Sequence, residues 1–298
     1  MVLAIANLDT LKYGLMLLTA IWLLAQMAWG PGTHIQLTRQ VLGRLRRRRI
    51  VNPAQAVVLE HPEPFLYGNI AADVINFKAY GGIKNHCHNW NIEERLESLA
   101  ENESAQAFVL GYLCHLAADV IAHNHFVPYH LVCNFPPRVL GHAYWEAMAD
   151  AHVSDLEWHA IDGLKRDRQM HAFDRMVHNA VRRRALGLRS NRWIFNNVLL
   201  LSCRREWREL VRSVAQSKTQ HPLDEAFHRR ARAASFRNML SVFQPRRLQV
   251  LQTRDPTGRE ALRGAQRMRR GLKIDLGNRA RAREISRELA RAAFGNLR

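Results

Sequence analysis

The chain has 298 residues and a formal net charge of +18 at pH 7, with 44 Lys and Arg against 26 Asp and Glu. Apolar residues make up 47% and aromatic residues 8%, enough to build the core of one large domain or two ordinary ones. The four cysteines show no CxxC spacing, which excludes a zinc finger, and they predict buried free thiols, with one bridge in an oxidising compartment as the alternative. The basic surface implies anionic partners, such as phospholipid headgroups, nucleic acid or phosphate esters.

The first element is an uncharged apolar run, LMLLTAIWLLAQMA, at Leu15–Ala28. It is shorter than the roughly 20 residues that span a membrane, and it fits the apolar core of a secretory signal. We therefore predict that residues 1–28 are a signal peptide or an N-terminal membrane anchor, and that the protein is exported (periplasmic or secreted) or anchored. Ala28 is small enough for the last residue before a cleavage site, whereas Gln26 is a poor choice for the position two residues before it. The arginines of Arg46–Arg49 would resist translocation.

A turn and a helix follow in the stretch WGPGTH, at Trp29–His34. Its Gly-Pro-Gly sequence predicts the turn, and Thr33 is predicted to cap a helix over about Ile35–Leu45. A histidine at a helix start is usually ordinary polar surface. His34 is a candidate functional residue because it comes directly after the candidate cleavage site.

The next segment carries a buried acid and two histidines. The sequence FLYGNIAADVINF, at Phe65–Phe77, predicts a buried segment interrupted by Asp73. The loop GGIKNHCHNWN contains His86 and His88, and a polar helix is predicted over Asn91–Glu101.

The stretch that organises the chain is FVLGYLCHLAADVIAHNHFVPY, at Phe108–Tyr129, which predicts a buried helix ending near Pro128. His115 and Asp119 are four residues apart and share one face among mostly apolar neighbours. Burying either one unpaired is costly. A metal ion would satisfy both, since imidazole and carboxylate are good zinc ligands; a hydrogen-bonded pair is the alternative. His125 is expected to fold back to this site or to a second one.

A second pair at the same spacing lies in HAYWEAMADAH, at His142–His152, which predicts a helix with His142 and Glu146 four residues apart. An exposed hydrogen bond is the alternative interpretation of this pair. Nine of the 15 histidines lie between His86 and His159, and such clustering favours a common site.

The remaining chain is helical in pattern and rich in arginine. An amphipathic helix is predicted within Arg192–Val214 and another at Ala280–Phe294, with Ile285, Leu289 and Ala293 as its apolar stripe. No segment shows sustained period-two alternation, so no sheet is predicted.

Taken together, these motifs resemble the bacterial zinc-dependent phospholipase C family, whose catalytic domain is all helical and holds three zinc ions. The resemblance covers roughly residues 29–160 and depends on the order and spacing of nine ligand types, since each motif alone is weak. The residues that match the zinc ligands of the family are Trp29, His34, Asp73, His88, His115, Asp119, His125, His142 and Glu146.

The individual motifs agree with the family in most positions. Mature members begin with a Trp whose amine and carbonyl bind zinc, and Trp29 follows Ala28 directly. LGYLCHLAADVIAHNH resembles the LGxxxHxxxD motif, and HAYWE resembles HxxxE. His123, an extra candidate ligand, stands where the family usually has Pro, and His86 competes with His88 for the position before an aromatic residue. The membrane-binding β-sandwich of the toxin-like members has no counterpart in the basic helical C-terminal region.

The resemblance implies metal-assisted phosphodiester hydrolysis, in which close zinc ions bind the phosphate and activate a water. Asp119 would bridge two zinc ions. Asp73 would bind one and help to deprotonate the water, so these two are the predicted catalytic residues. His125, His142 and Glu146 would hold the third ion. A phospholipid is the expected substrate, with another phosphodiester or a nucleic acid as the alternative.

Two rival functions stay open. The single-strand-specific zinc nucleases share this fold but end with HxxxD, so Glu146 favours the phospholipase. A nuclease also needs aromatic stacking platforms, for which Trp90, Tyr144 and Trp145 are candidates. The third hypothesis is a non-catalytic, membrane-anchored protein that binds zinc structurally; an uncleaved N-terminus would favour it, because Trp29 would then lack a free amine.

The predicted architecture is all-α, a zinc-dependent phospholipase C-like helical bundle with extra basic helices. Residues 29–160 form the zinc-binding catalytic core, and residues 161–298 form a basic helical region partly packed on it. That basic region is expected to dock on an anionic membrane surface, and no obligate protein partner is evident.

Overall fold

The computed structural model describes residues 29–47, 52–75, 80, 82, 86–134, 141–182, 184–197, 205–216, 222–275 and 279–297. No β-strand occurs in these ranges, and most of their residues are helical, so the predicted all-α class is confirmed. The predicted signal or anchor segment, residues 1–28, lies outside the described residues.

Fifteen α-helices occur in the described ranges: α1 Pro31–Arg46, α2 Pro53–Glu60, α3 Pro62–Ala71, α4 Glu93–Glu97, α5 Glu103–Ile121, α6 Val127–Cys133, α7 His142–Asp150, α8 Asp155–Arg166, α9 Met170–Ala180, α10 Leu188–Asn197, α11 Arg205–Gln216, α12 Glu225–Ser241, α13 Pro245–Gln252, α14 Arg259–Asp275 and α15 Arg279–Phe294. Short 3₁₀ turns follow α3 at Ala72–Val74 and precede α4 at Trp90–Ile92. The helix predicted within Arg192–Val214 corresponds to parts of α10 and α11; residues 198–204 are outside the description.

The prediction that Thr33 caps the first helix is wrong. The N-cap residue of α1 is Gly30, three residues before Thr33, and the helix begins at Pro31. Proline suits that position because its fixed φ matches the helix and its missing N–H would have no helical partner there. Thr33 therefore lies inside the first turn.

The prediction that the central helix ends near Pro128 is also wrong. Helix α5 runs into a π-turn at Ala122–Phe126, in which the N–H of Val127 donates to the carbonyl of Ala122, five residues back. The chain then continues as α6. Pro128 lacks the N–H that an uninterrupted α-helix needs, and a wider turn lets the helix continue past it.

Helix α5 is the centre of the bundle, and α3 packs closely along it. Gly68 and Gly111 allow this approach, since a Cβ on Gly68 would overlap the carbonyl of Phe108 and a Cβ on Gly111 would overlap the carbonyl of Phe65. The close crossing brings the C-terminal end of α3 against the second half of α5.

The C-terminal helices share the same core. Helix α12 packs on α5, where Asn238 Nδ2 donates to the carbonyl of Ala117 at 3.2 Å and Ser235 Oγ donates to the carbonyl of Ala118 at 3.3 Å. Helices α14 and α15 pack on α6.

One described stretch, Glu103–Cys133, is long and apolar enough to cross a membrane, but 89% of its most apolar window is buried against the rest of the protein. It is the core of the bundle. The expectation of free thiols is confirmed for Cys87, Cys114 and Cys133, and Cys203 is not among the described residues.

Candidate metal centre

Five buried acidic and imidazole side chains from four segments meet beside α5. Helix α1, the 3₁₀ turn after α3 and the loop before α4 provide one each, and α5 provides two. In chain order they are His34, Asp73, His88, His115 and Asp119, each 2% exposed or less. All five are among the predicted metal ligands.

Asp119 is at the centre of this group, which we call the Asp119 cluster. Its Oδ1 is 3.3 Å from Nε2 of His34. Its Oδ2 is 3.2 Å from Nε2 of His115 and 3.5 Å from Nε2 of His88. Asp73 closes the other side, with Oδ1 3.2 Å from Nε2 of His88. The Nε2 atoms of His88 and His115 are 2.9 Å apart.

These distances suit metal ligation better than hydrogen bonding. Neither oxygen of Asp119 accepts a hydrogen bond within the described part of the chain, although both are fully buried, and an unsatisfied buried carboxylate is costly. Two imidazole nitrogens at 2.9 Å need a proton or a cation between them. Ligand atoms at about 2.0–2.2 Å from a tetrahedral zinc ion lie about 3.3 Å apart, close to the separations observed here.

The ligand atoms form two overlapping groups, each compact enough to hold one ion. One consists of His34, His115 and Asp119, and the other of Asp73, His88 and His115. Since the groups share His115 and adjoin Asp119, two ions bound in them would be neighbours. The donor set of neutral imidazole and carboxylate is the one that zinc prefers.

Asn69 on α3 orients two of the imidazoles, and sequence reasoning missed it. Nδ1 of His34 donates to Oδ1 of Asn69 at 2.9 Å, and Nδ1 of His115 donates to the backbone carbonyl of Asn69 at 2.7 Å. Both rings therefore carry their proton on Nδ1 and present the Nε2 lone pair to Asp119. The amide of Asn69 is fixed in turn by Nδ2, which donates to the carbonyl of Gly111.

The electrostatics of the cluster favour ionised Asp119 and neutral His34. Burial alone would raise the pKa of Asp119, but the imidazoles of His115 and His123 hold that pKa well below its usual value. Burial, together with the neighbouring His115, lowers the pKa of His34. An ionised carboxylate and a neutral imidazole, such as Asp119 and His34, are the forms in which these groups bind a cation. Burial would lower the pKa of His115, but the neighbouring Asp119 raises it, so binding of a cation at His115 would compete with a proton.

The loop before α4 brings His88, and not His86, into the cluster. The ring of His86 is partly exposed, and its Nδ1 accepts a hydrogen bond from the backbone N–H of His88 at 3.1 Å. Sγ of Cys87 lies 3.2 Å from Nδ1 of His88, and the carbonyl of Cys87 accepts from the hydroxyl of Tyr112 at 2.6 Å. This loop is therefore fixed to α5 at the residue next to the predicted ligand.

Replacing His88 with Ala should lower the amount of zinc bound per chain, because His88 contacts Asp73, His115 and Asp119. His86→Ala is the matched control and should change zinc content little. Zinc per chain is measured for both proteins. Equal losses, or a larger loss in the His86 variant, would contradict the assignment.

Asp150, at the end of α7, is a further carboxylate, which the sequence analysis did not single out. It accepts hydrogen bonds from the start of α1. Its Oδ1 accepts from Thr33 N at 2.8 Å and Thr33 Oγ1 at 2.6 Å, and its Oδ2 accepts from Gly32 N at 3.2 Å. A Cβ on Gly30 would overlap the Asp150 carboxylate, and one on Gly32 would overlap the Trp158 ring. The GPGTH sequence thus permits the close fit that positions His34.

Replacing Asp150 with Ala should lower the free energy of unfolding by about 2–4 kcal/mol, because two buried N–H groups of α1 lose their acceptor. Asp155→Ala is the matched control, since Asp155 is mostly exposed. Chemical denaturation of both proteins in the presence of a chelator provides the measurement. A loss no larger than that of the control would contradict the role of Asp150.

The charge of Asp150 predicts a pH dependence. Burial raises its pKa to about 6, against the hydrogen bonds from Thr33 and Gly32 that lower it. The folded protein thus holds this proton more tightly than the unfolded chain does. As the pH rises from about 4 to about 6, the free energy of unfolding of the wild type should fall by up to about 3 kcal/mol relative to that of Asp150→Asn. Above pH 6 this difference should not change further.

The other predicted ligands lie further from Asp119. Nε2 of His142 is 3.3 Å from Oε1 of Glu146, so the two pair as their spacing indicated. Nδ1 of His125 donates to the carbonyl of Phe294 at 3.1 Å, and His125 stays a predicted ligand. The ring of Trp29 is fully buried, and its Nε1 donates to Ser235 at 3.2 Å. Its backbone amine and carbonyl stay predicted ligands.

The fold and the site together define an all-helical protein with a buried histidine and aspartate centre that fits zinc. The family model of zinc-dependent phospholipase C matches residues 33–193, more than half of the 298 residues, and the chain belongs to this family. No curated protein and no solved structure matches the chain.

Proposed function

We propose that the protein is a zinc-dependent phospholipase C that hydrolyses the phosphodiester of a phospholipid to diacylglycerol and a phosphorylated headgroup. The observation that carries this proposal is the Asp119 cluster, with a buried carboxylate that no described hydrogen bond satisfies and three imidazole Nε2 atoms within 3.5 Å of it. Membership of the zinc-dependent phospholipase C family supports the class of reaction.

Zinc ions bound here would supply Lewis acidity towards the substrate phosphate and lower the pKa of a coordinated water. Asp119 would be the carboxylate shared by the zinc ions of the cluster, since its two oxygens face different imidazoles, those of His34 and His115. We assign Asp73, which pairs with His88 on the rim of the cluster, to accept the proton of the attacking water. Three ions in all are part of the proposal, the third near His142 and Glu146.

The aromatic residues near the site favour a phospholipid over a nucleic acid. A single-strand nuclease needs exposed rings on which bases stack. Trp90 and Trp145 are buried, at 8% and 3% exposure. Nε1 of Trp90 donates to the carbonyl of Arg254 at 2.8 Å, and the ring of Trp145 packs on His130 at 4.7 Å between centroids. Among the three candidate platforms only Tyr144 keeps intermediate exposure.

The test is to purify the mature chain, sequence its N-terminus, measure zinc per molecule and assay two substrates. Phosphatidylcholine vesicles and a single-stranded oligonucleotide are offered at matched phosphodiester concentration. We expect zinc-dependent release of diacylglycerol that a chelator abolishes, and an N-terminus at Trp29 with export through residues 1–28. Cleavage of the oligonucleotide alone would establish the nuclease alternative, and bound zinc without either activity would establish the structural one.

An anionic membrane surface is part of the proposal, and the arginines of the last two helices support it. On α15 the buried face consists of Ala282, Ser286, Ala290 and Phe294. Of the predicted apolar stripe, Ile285 packs against the core, whereas Leu289 is 38% exposed and Ala293 is exposed. Exposed arginines flank it on α15 and recur at helical spacing on α14: Arg283, Arg287, Arg291, Arg263, Arg267 and Arg270.

Binding to vesicles that contain anionic lipid should weaken steeply as salt rises, because each basic side chain near such a surface contributes about 1 kcal/mol and is screened. The double variant Arg283→Ala, Arg287→Ala should bind at least about tenfold more weakly. The control Arg166→Ala, Arg168→Ala removes the same charge at the end of α8. Vesicle cosedimentation measures the binding of both double variants. Binding that changes neither with salt nor in the α15 double variant would rule out this docking surface.

A further inference from the structure

The resemblance to the family assigns His125 to the same zinc ion as His142 and Glu146, but the ring of His125 has another contact. The carbonyl of Phe294, at the end of α15, accepts from Nδ1 of His125. Because the helix continues past Pro128 instead of folding back, residue 125 lies on a different face from Asp119. On a helix, residues four apart share a face, whereas residues six apart do not.

His123 lies on the same face of the helix as Asp119. It is four residues after Asp119, is 5% exposed, and its Nδ1 is 3.8 Å from Oδ2 of Asp119. Its ring stands edge-on to the ring of His142, with 5.0 Å between centroids. His123 thus adjoins both the Asp119 cluster and the partner of Glu146.

A short loop from outside the matched family region fixes His123. We call residues Arg254–Gly258, between α13 and α14, the clasp. Nδ1 of His123 donates to the carbonyl of Pro256 at 2.6 Å, which leaves Nε2 as the nitrogen with the lone pair. Gly258 has φ +55° and lies so close that a Cβ there would overlap the carbonyl of His123.

The clasp binds two of the four segments that carry the Asp119 cluster, the loop before α4 and the continuation of α5. Its three consecutive carbonyls, of residues 254, 255 and 256, accept hydrogen bonds from Trp90, Asn124 and His123. Trp90 is two residues after His88, and His123 and Asn124 follow Asp119. The Asp255 side chain braces the clasp by accepting from Thr257 N at 2.9 Å.

We propose that His123, held by the clasp, is the imidazole that completes the zinc subsite of His142 and Glu146, in place of His125. The proposal rests on the function proposed above, and it makes the clasp, contributed by the C-terminal region, part of the metal centre. His123 would act as ligand through Nε2, and Pro256 would act as a positioning residue through its carbonyl.

The experiment compares zinc content and zinc affinity in His123→Gln and His125→Gln full-length proteins. Glutamine can still donate to the neighbouring carbonyl but is a poor zinc ligand, so both variants should fold. We expect His123→Gln to lose one zinc equivalent by elemental analysis, and His125→Gln to keep the wild-type number. Loss of an equivalent only in the His125 variant, or in neither, would overturn the proposal.

The clasp is tested separately with Gly258→Ala, against Gly271→Ala as a control with open space for the added methyl group. Chelator competition measures the affinity of the most weakly bound zinc ion. We expect this ion to bind at least about tenfold less tightly in Gly258→Ala, which is the effect of losing an outer-shell contact. The affinity of the control should be unchanged. Wild-type affinity in Gly258→Ala would overturn the role of the clasp. Wild-type protein that binds no zinc would refute the proposed function itself, whereas zinc-replete protein with unaffected His123→Gln refutes only this inference.

Discussion

Replacing Asp119 with Asn should remove at least two zinc ions and lower phosphodiester hydrolysis by more than about a hundredfold, which exceeds what the loss of an outer-shell partner costs. The substitution keeps the volume of the side chain but removes the charge and one anionic oxygen. Three imidazole Nε2 atoms lie within 3.5 Å of the two carboxylate oxygens, so the remaining ligands cannot make up for the change. Elemental analysis and release of diacylglycerol measure the two effects.

Glu146→Gln is the control that distinguishes the loss of Asp119 as a ligand from a general effect of replacing a buried carboxylate with an amide. Glu146 pairs with His142 away from Asp119, so its variant should lose at most one zinc ion and keep the Asp119 cluster. Full zinc occupancy and normal turnover in Asp119→Asn would refute the bridging role and most of the case for this site.

The sequence predicted the local part of the site correctly because helical spacing is a local property. His115 and Asp119, and His142 and Glu146, are each four residues apart and meet as expected. The approach of His34, Asp73 and His88 to Asp119 is not local. It depends on the crossing of α3 and α5 at Gly68 and Gly111, and only the resemblance to a known family indicated it.

The sequence could not predict which histidine beyond Asp119 faces the site. His123 and His125 are two residues apart, and whether either joins Asp119 depends on how the helix passes Pro128. The π-turn that continues the helix, with the N–H of Val127 on the carbonyl of Ala122, leaves no local pattern in the hydrophobic residues. The clasp that holds His123 comes from residues more than 130 positions later.

The sequence analysis missed two polar residues that contribute to the site, Asn69 and Asp150. Asn69 lies in the same buried apolar run as Asp73, four residues before it, and the argument that singled out Asp73 as a buried polar group applies to Asn69 as well. Asp150 is four residues after Glu146 on the same helix. Its role at the start of α1 depends on tertiary packing, so spacing alone could not reveal it.

The second large effect is expected for Asn69→Leu, which removes the amide while keeping most of the volume. The buried Nδ1 of His34 and the carbonyl of Gly111 would lose their partners, so we expect a loss of about 2–4 kcal/mol in the free energy of unfolding. Zinc affinity should fall by about 10–100-fold, since His34 is no longer held with Nε2 towards Asp119. The backbone carbonyl that orients His115 is unchanged.

Asn69→Asp distinguishes orientation of the ligand from simple packing. Its carboxylate keeps an acceptor for Nδ1 of His34 but cannot donate to the carbonyl of Gly111, so stability should still fall while zinc affinity stays within a few-fold of wild type. Denaturation in a chelator measures the first quantity and chelator competition measures the second. If Asn69→Leu and Asn69→Asp lose zinc affinity equally, the hydrogen bond to His34 does not orient the ligand, and Asn69 serves only to pack α3 against α5.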